Sequence, residues 1–145
     1  MMVVEPVRAT DIENVVRLAS GTLRADVDPE ELAGRLTCDC CMVARDVATD
    51  TIIGFALARR EVPCEGHVLA LAVDQAWRGE GIGSALLSRV RSELRRDGAM
   101  HLCLEVRASN RSAVAFYQRH GFHPEGLQEH AYADGEDAVR FGRPI

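Results

Sequence analysis

LAVDQAWRGEGIGS, residues 71–84, decides the fold of this chain. An apolar run suited to a buried strand meets a polar turn, bends through glycines and opens into a long helix. Ile82, Leu86, Val90 and Leu94 recur every four residues, so one face of that helix is apolar until Asp97-Gly98 ends it. Gly79, Gly81 and Gly83 let the backbone approach a ligand with no Cβ in the way. The first amides of a helix have no intrahelical partner and sit at the positive end of its dipole. Strand, glycine turn and helix start together form an anion cradle, and a phosphorylated cofactor is the first expectation. The plainer alternative is a glycine turn that merely joins strand to helix.

Spacing excludes two familiar phosphate loops. A Walker loop needs Gly-x-x-x-x-Gly-Lys-Ser/Thr, and no lysine lies near. A dinucleotide fingerprint needs glycine or alanine three residues after its second glycine, where this chain has Leu86. What stands here is Arg78-x-x-Gly81-x-Gly83 after a strand ending Ala72-Val73-Asp74. A second motif follows, Leu104-Glu105-Val106-Arg107-Ala108-Ser109-Asn110, then Ala113-Val114-Ala115-Phe116-Tyr117 and Gly121-Phe122. Together the two motifs resemble the core of the GCN5-related N-acetyltransferase (GNAT) superfamily. They are most similar to the ribosomal-protein alanine N-acetyltransferases. The segment His130-Ala131-Tyr132-Ala133-Asp134-Gly135-Glu136-Asp137-Ala138 resembles that group's Tyr-Tyr-Pro-Asp-Gly-Glu-Asp-Ala tail, with Ala131 and Ala133 as departures. The resemblance runs from about Val68 to the C-terminus.

Around these motifs the pattern is that of an α/β chain. Residues 3–8 read as a strand. Thr10-Asp11-Ile12-Glu13 has capping-box spacing, and Ile12, Val15, Val16 and Ala19 carry helical period to Gly21. Asp28 before Pro29 starts a second helix with leucines at 32 and 36. Residues 42–44 and 52–58 form a hairpin about a polar turn, and 67–73 is the strand feeding the glycine bend. Residues 101–106 make the next strand. A helix capped by Ser109 or Asn110 runs to Gly121, and 138–141 is a last strand. The resemblance implies the GNAT fold, α/β (α+β): a mixed, mostly antiparallel sheet of six to seven strands, splayed between the fourth and fifth strands and flanked by four helices. It also implies a single N-acetyltransferase domain over 1–145.

The 145 residues, 47% hydrophobic and 27% charged, suit a globular domain with a core of its own. No long apolar span or basic-then-apolar leader is present, so neither a membrane helix nor a signal peptide is expected. A net charge of −5 argues against nucleic acid and suits a cationic substrate. Five cysteines, an odd number, read as free thiols in a reducing cytoplasm. Cys38-Asp39-Cys40-Cys41 lacks the paired knuckles of a structural metal site and is read as small apolar residues, with no metal expected. Were it a strand, Cys38 and Cys40 would share a face.

Acetyl transfer from a thioester to an amine needs a held donor, a deprotonated amine and a stabilised leaving thiolate. The resemblance assigns acetyl-CoA to Leu71, Ala72 and Val73 along the strand end and to Arg78, Gly79, Glu80, Gly81, Ile82, Gly83 and Ser84 around the bend. Asn110 and Tyr117 complete that set. Glu80 departs from the basic residue of many relatives, and a carboxylate there is tolerable only if it points away. Alternation puts His101, Cys103 and Glu105 on one face of their strand and Leu102, Leu104 and Val106 on the core side. By resemblance Glu105 is the general base and Tyr117, the residue of its helix face with a proton to give, the general acid. Tyr132 is the expected substrate contact. The scatter of His120, His123 and His130 fits no zinc motif.

A free α-amine, pKa near ~8, is roughly a tenth neutral at pH 7, whereas lysine near ~10.4 is under about a thousandth neutral. A lone glutamate base therefore favours a protein or peptide N-terminus as acceptor. Asp26, Asp28, Glu30, Glu31, Glu125 and Glu129 are expected to flank the acceptor entrance, and would draw in any cation. Two other readings stay open: a small-molecule amine acetyltransferase for polyamines or aminoglycosides, and a non-catalytic acyl-CoA-binding regulatory domain. A homodimer is also compatible with the sequence.

Overall fold

The strand feeding the glycine bend lies in the middle of a seven-stranded sheet. In the computed structural model the described residues are 1–23, 28–61 and 63–145, without the side chains of residues 37 and 38. Asp26 and the side chain of Cys38 therefore lie outside the described residues. The strands are β1 (Met2–Pro6), β2 (Cys40–Asp46), β3 (Thr51–Glu61), β4 (Glu65–Val73), β5 (His101–Arg107), β6 (His123–Gln128) and β7 (Ala138–Pro144). Their order across the sheet is β1-β2-β3-β4-β5-β7-β6. Every neighbouring pair is antiparallel except β4 with β5.

That parallel pair is joined at one end only. Glu65 lies opposite His101, Gly66 opposite Leu102 and His67 opposite Cys103, and the pairing stops there. Beyond it β4 continues to Val73 against β3, while β5 continues to Arg107 against β7. The sheet is thus splayed between its fourth and fifth strands, as the resemblance implied.

Helices α1 (Ile12–Thr22), α2 (Pro29–Cys38), α3 (Ile82–Arg96) and α4 (Arg111–Arg119) cover both faces. Strand alternation sorts the core in two. Cys41, Val43, Phe55 and Leu57 pack with Val15 and Ala19 of α1 and Leu32 and Leu36 of α2. Met42, Ala44, Ala56, Leu102 and Leu104 pack with Ile82, Leu86, Val90 and Leu94 of α3. Among the described residues, no helix is long and apolar enough to cross a membrane.

Two local expectations change. The first helix is entered through a 3-10 turn, Ala9–Asp11, in place of a Thr10/Glu13 capping box. The Asp11 carboxylate accepts from the Arg8 amide at 2.9 Å and from Arg45 Nη2 at 2.8 Å. A buried guanidinium outbids a helix glutamate for that geometry because its charge needs a partner once out of water. Secondly, Cys38 ends α2 and Cys40 begins β2, so the two do not share a strand face. Burial lifts the Cys40 and Cys41 thiols to about 11 and about 12, as fits small apolar core residues. Asp28 caps α2 as expected, accepting from the Glu30 amide at 3.0 Å.

Gly54 lets α3 approach the sheet. A Cβ there would stand 3.0 Å from Leu86 Cδ1 and 3.1 Å from the Ala72 carbonyl oxygen. Gly54→Val is expected to cost about 1–3 kcal/mol by overpacking, read as a lower midpoint in urea denaturation with an unchanged slope.

Candidate active site

Two clefts open along the splay and share a wall. One, about 620 Å³, is lined by the glycine bend, the end of β4 and α4. The bend owes its shape to Gly79 and Gly81, both left-handed at φ near +80° with open space beside them. Gly81 caps α3, and the first intrahelical bond runs from Ala85 to Gly81. The amides of Ile82, Gly83 and Ser84 thus have no helix partner and face a potential anion. Gly83 serves another purpose: a Cβ would meet Phe116 Cε1 at 3.3 Å, so it sets how closely α4 packs.

Leu71, Ala72, Val73, Arg78, Ser84 and Asn110 also line this cleft. Arg78 donates from Nε to the Val73 carbonyl at 3.3 Å, and Arg119, which the sequence did not single out, adds a second cation to the wall. Glu80 is exposed and is not among the lining residues, so it points away as a carboxylate near phosphates must. The cradle fits a diphosphate: free amides, two guanidinium groups and no acidic lining. Beyond His67 one edge of β4 has no strand partner, which leaves backbone groups for an extended amide-bearing arm.

The second cleft, about 380 Å³, lies on the other side of Tyr117. Glu105, His67, Arg107 and Tyr132 are on its walls, and Tyr117, Asn110, Ala113, Leu71 and Leu23 line both clefts. Asn110 caps α4 by accepting from the Ala113 amide at 3.2 Å, whereas Ser109 gives its amide to Glu136 at 2.9 Å. Tyr117 is buried in edge-to-face contact with Phe116 and Phe122, ring centroids 5.1 and 5.6 Å away. Burial pushes its phenol well above the usual range, so it holds its proton at neutral pH.

Glu105 is held by a residue the sequence did not expose. His67 Nε2 lies 2.7 Å from Glu105 Oε1, and His67 Nδ1 lies 3.1 Å from Glu61 Oε2. An imidazole with a carboxylate at each nitrogen donates twice only when protonated. The Glu105 hydrogen bond is accordingly the chief cause that raises the His67 pKa above its ordinary value. Glu105 Oε2 is buried without a hydrogen-bond partner, with Arg140 Nη1 3.5 Å away. The histidine was invisible to pattern reading because its two partners, at positions 61 and 105, lie on the strands to either side of its own. The signal was there only as His67 and Glu105 on neighbouring strands. Glu61, His67 and Cys103 also bring metal-ligand atoms within 4.8 Å of one another. Both His67 nitrogens are already engaged and Cys103 bonds to Glu65, so the set reads as a hydrogen-bonded network.

Tyr132 lies under Arg107, whose guanidinium carbon is 4.1 Å from the ring centroid. Asp134 and Glu136 fix that arginine at 2.8 Å each. Of the acidic residues expected at the acceptor entrance, those among the described residues are not on the cleft wall: Asp28 caps α2, Glu31 pairs with Arg35 and Glu125 pairs with His101, while Glu30 and Glu129 are exposed. Among the described residues, Cys40, Cys41, Cys64 and Cys103 are free thiols.

Comparison with known proteins gives a consistent set. The acetyltransferase (GNAT) family profile matches residues 12–122. An N-alpha-acetyltransferase of Saccharolobus solfataricus is 31% identical over 111 residues, covering 68% of this chain and 66% of that protein. The ribosomal protein bS18-alanine N-acetyltransferase of Escherichia coli is 39% identical over 84 residues, 56% of this chain and 57% of that one. Matched stretches thus span about half to two thirds of the curated relatives. The crystal structure of Ard1 from Thermoplasma volcanium superposes with a TM-score of 0.89 at 26% identity, covering 99% of this chain and 97% of that one.

The raised His67 pKa carries a stability consequence. Its contribution is whole below the ordinary value of 6.5 and is lost as pH rises through the folded value. His67→Gln is expected to remove that pH dependence: the wild type loses more denaturation midpoint than the variant between pH 6 and pH 9. Equal losses would show that the imidazole is not charged in the fold.

Proposed function

We propose that this chain, which belongs to the acetyltransferase (GNAT) family, moves the acetyl group of acetyl-CoA to a primary amine, a peptide or protein N-terminal α-amine first of all. One observation carries the reading: a cradle fit for a diphosphate and a cleft lined by Glu105, whose Oε2 has no hydrogen-bond partner, share a wall that includes the buried Tyr117. GNAT acetyltransferases use acetyl-CoA, which supplies the activated thioester. Gly79, Gly81, Ile82, Gly83 and Ser84, with Arg78 and Arg119, hold its diphosphate. Leu71, Ala72 and Val73 offer backbone groups to its pantetheine arm, and Asn110 adds a side-chain amide.

Glu105 acts as general base. Its Oε1 is tied to His67, and Oε2 makes no hydrogen bond beyond the ion pair with Arg140 Nη1 at 3.5 Å, so it keeps a lone pair to take the amine proton, directly or through one water. Arg59 pairs with Glu61 at 2.8 Å and Arg140 with Glu105 at 3.5 Å, so the carboxylates around His67 are held in a network of alternating charge. Tyr117 acts as general acid. Its pKa is raised by burial, and the same apolar surroundings make a departing thiolate a stronger proton acceptor. Tyr132, oriented by Arg107, forms a wall against which the acceptor residue lies.

The N-terminal acceptor is favoured on two grounds. An α-amine needs less help to deprotonate than lysine, and the relatives described above are named for acetylating N-termini. The test is mass spectrometry with acetyl-CoA and four acceptors: a peptide with a free N-terminus, an N-blocked lysine peptide, spermidine and an aminoglycoside. Acetylation of the free N-terminus is expected; acetylation of the small amines alone would replace this acceptor with the small-molecule one. Glu105→Gln and Tyr117→Phe are each expected to lower kcat by about 10²–10⁴-fold. Calorimetry should show coenzyme A still binding both variants, and unchanged turnover in either would remove the role given to that residue.

A further inference from the structure

Beside the diphosphate cradle, one hydrogen bond fixes where a proton sits. His120 follows α4 and turns its ring toward α3, stacked on Phe116 at 4.4 Å between centroids. Its Nδ1 lies 2.8 Å from the Phe116 carbonyl oxygen and its Nε2 lies 2.9 Å from Ser84 Oγ. A carbonyl oxygen only accepts, so Nδ1 carries a hydrogen. In the neutral ring Nε2 is then a bare acceptor, and Ser84 commits its single hydroxyl hydrogen to it.

Ser84 is also the third residue of α3 and lines the cradle together with Gly81 and Gly83. With its hydrogen turned to His120, its hydroxyl presents only lone pairs to the cleft. That polarity is wrong for a diphosphate ester, which is fully ionised and has no hydrogen to offer. One added proton reverses it. Protonated Nε2 donates to Ser84 Oγ, and the hydroxyl hydrogen is released toward the ligand as a donor, where a charged acceptor makes the bond strong.

We propose that His120 is a positioning residue of the diphosphate site: anion binding at Ser84 is coupled to uptake of one proton by His120. The inference rests on the acetyl-CoA reading given above and adds a residue to it that the family's motifs do not name. The proton comes from solvent to Nε2, the hydroxyl hydrogen changes its acceptor, and no bond between heavy atoms forms or breaks. The charged groups around the ring are both cationic. Arg119 on α4 lies over Phe116 at 5.7 Å, and Arg143 on β7 donates from Nη1 to the His120 carbonyl at 2.6 Å. From α3 the ring meets the neutral Ser84 hydroxyl. No carboxylate hydrogen-bonds the imidazole among the described residues, so the bound anion itself supplies what favours the imidazolium. By linkage, cofactor affinity must then fall as pH rises above neutrality, by at most about tenfold per pH unit for one proton.

The test is calorimetry near neutral pH in PIPES and in Tris, buffers of different ionisation enthalpy. Dephospho-coenzyme A is the ligand, because its diphosphate has no proton of its own to exchange there. A net uptake of up to one proton per molecule bound is expected. Ser84→Ala and His120→Ala should still bind with that uptake abolished and the pH dependence of affinity flattened. Equal heats of wild-type binding in both buffers would overturn the coupling while leaving the acetyl-CoA reading intact. Uptake that persists in Ser84→Ala would overturn it too. Failure of both coenzyme A and dephospho-coenzyme A to bind the wild type would instead remove the cofactor reading and this inference with it. Should either variant not fold, the His120 Cε1 proton resonance of the wild type decides: it must shift to the imidazolium position on saturation with dephospho-coenzyme A.

Discussion

Everything at the site depends on two parallel strands that are allowed to pair at one end and prevented from pairing at the other. β4 and β5 are hydrogen-bonded through three residue pairs and then part. A sheet normally satisfies its backbone groups across every interior edge, because a buried amide without a partner is costly. Here an interior edge is left open in the centre of the sheet, with β3 and β7 anchoring the two diverging strands from outside. The opening gives both clefts their depth. It also provides an unused strand edge that a linear, amide-bearing ligand can complete.

The split divides the chemistry as well as the backbone. On the α3 side the walls are amides, glycines and guanidinium groups, an environment for anions. On the β5 side Glu61, His67, Glu105 and Arg140 form a network of alternating charge, an environment for a cation and for proton transfer. Tyr117 stands between them in an apolar setting formed by Phe116 and Phe122. The two clefts, one lined by glycines and guanidinium groups and one by this charged network, thus share the wall that holds one phenol.

Much of this was legible in the chain. The period of Ile82, Leu86, Val90 and Leu94 gave α3 its buried face, and all four residues lie in the core beneath it. The Asp28-Pro29 start, the hairpin turn and the cap by Asn110 are local devices that depend on a few adjacent residues, and each occurs as read. Local reading went astray where a distant partner competes. The start of α1 is capped by Asp11, which accepts from the Arg8 amide and also pairs with Arg45, thirty-four positions on, in place of the Thr10/Glu13 pattern. Gly83, which lines the cleft of the glycine bend, also makes room for a phenyl ring of α4, which the sequence did not show. The acidic residues of α2 answer to Arg35 and to their own helix start, not to the acceptor cleft.

The sequence by itself determined the elements as far as the helix after Asn110, the glycine bend and, through the resemblance, Glu105 and Tyr117 as candidate groups, while β6 was not read from the residues. These follow from periodicity, glycine placement and two short motifs, all properties of neighbouring residues. Only the tertiary structure decided that His67 and Glu61 stand behind Glu105, that Arg119 lines the cleft of the glycine bend and that His120 Nε2 lies within hydrogen-bond reach of Ser84 Oγ. Such contacts join different elements, at separations of 6, 38 and 36 residues, and hydrogen-bond geometry at 2.7 to 3.1 Å depends on the register of strands and the seating of helices. No pattern along the chain encodes that spacing; it exists once the sheet has opened and the helices have closed on it.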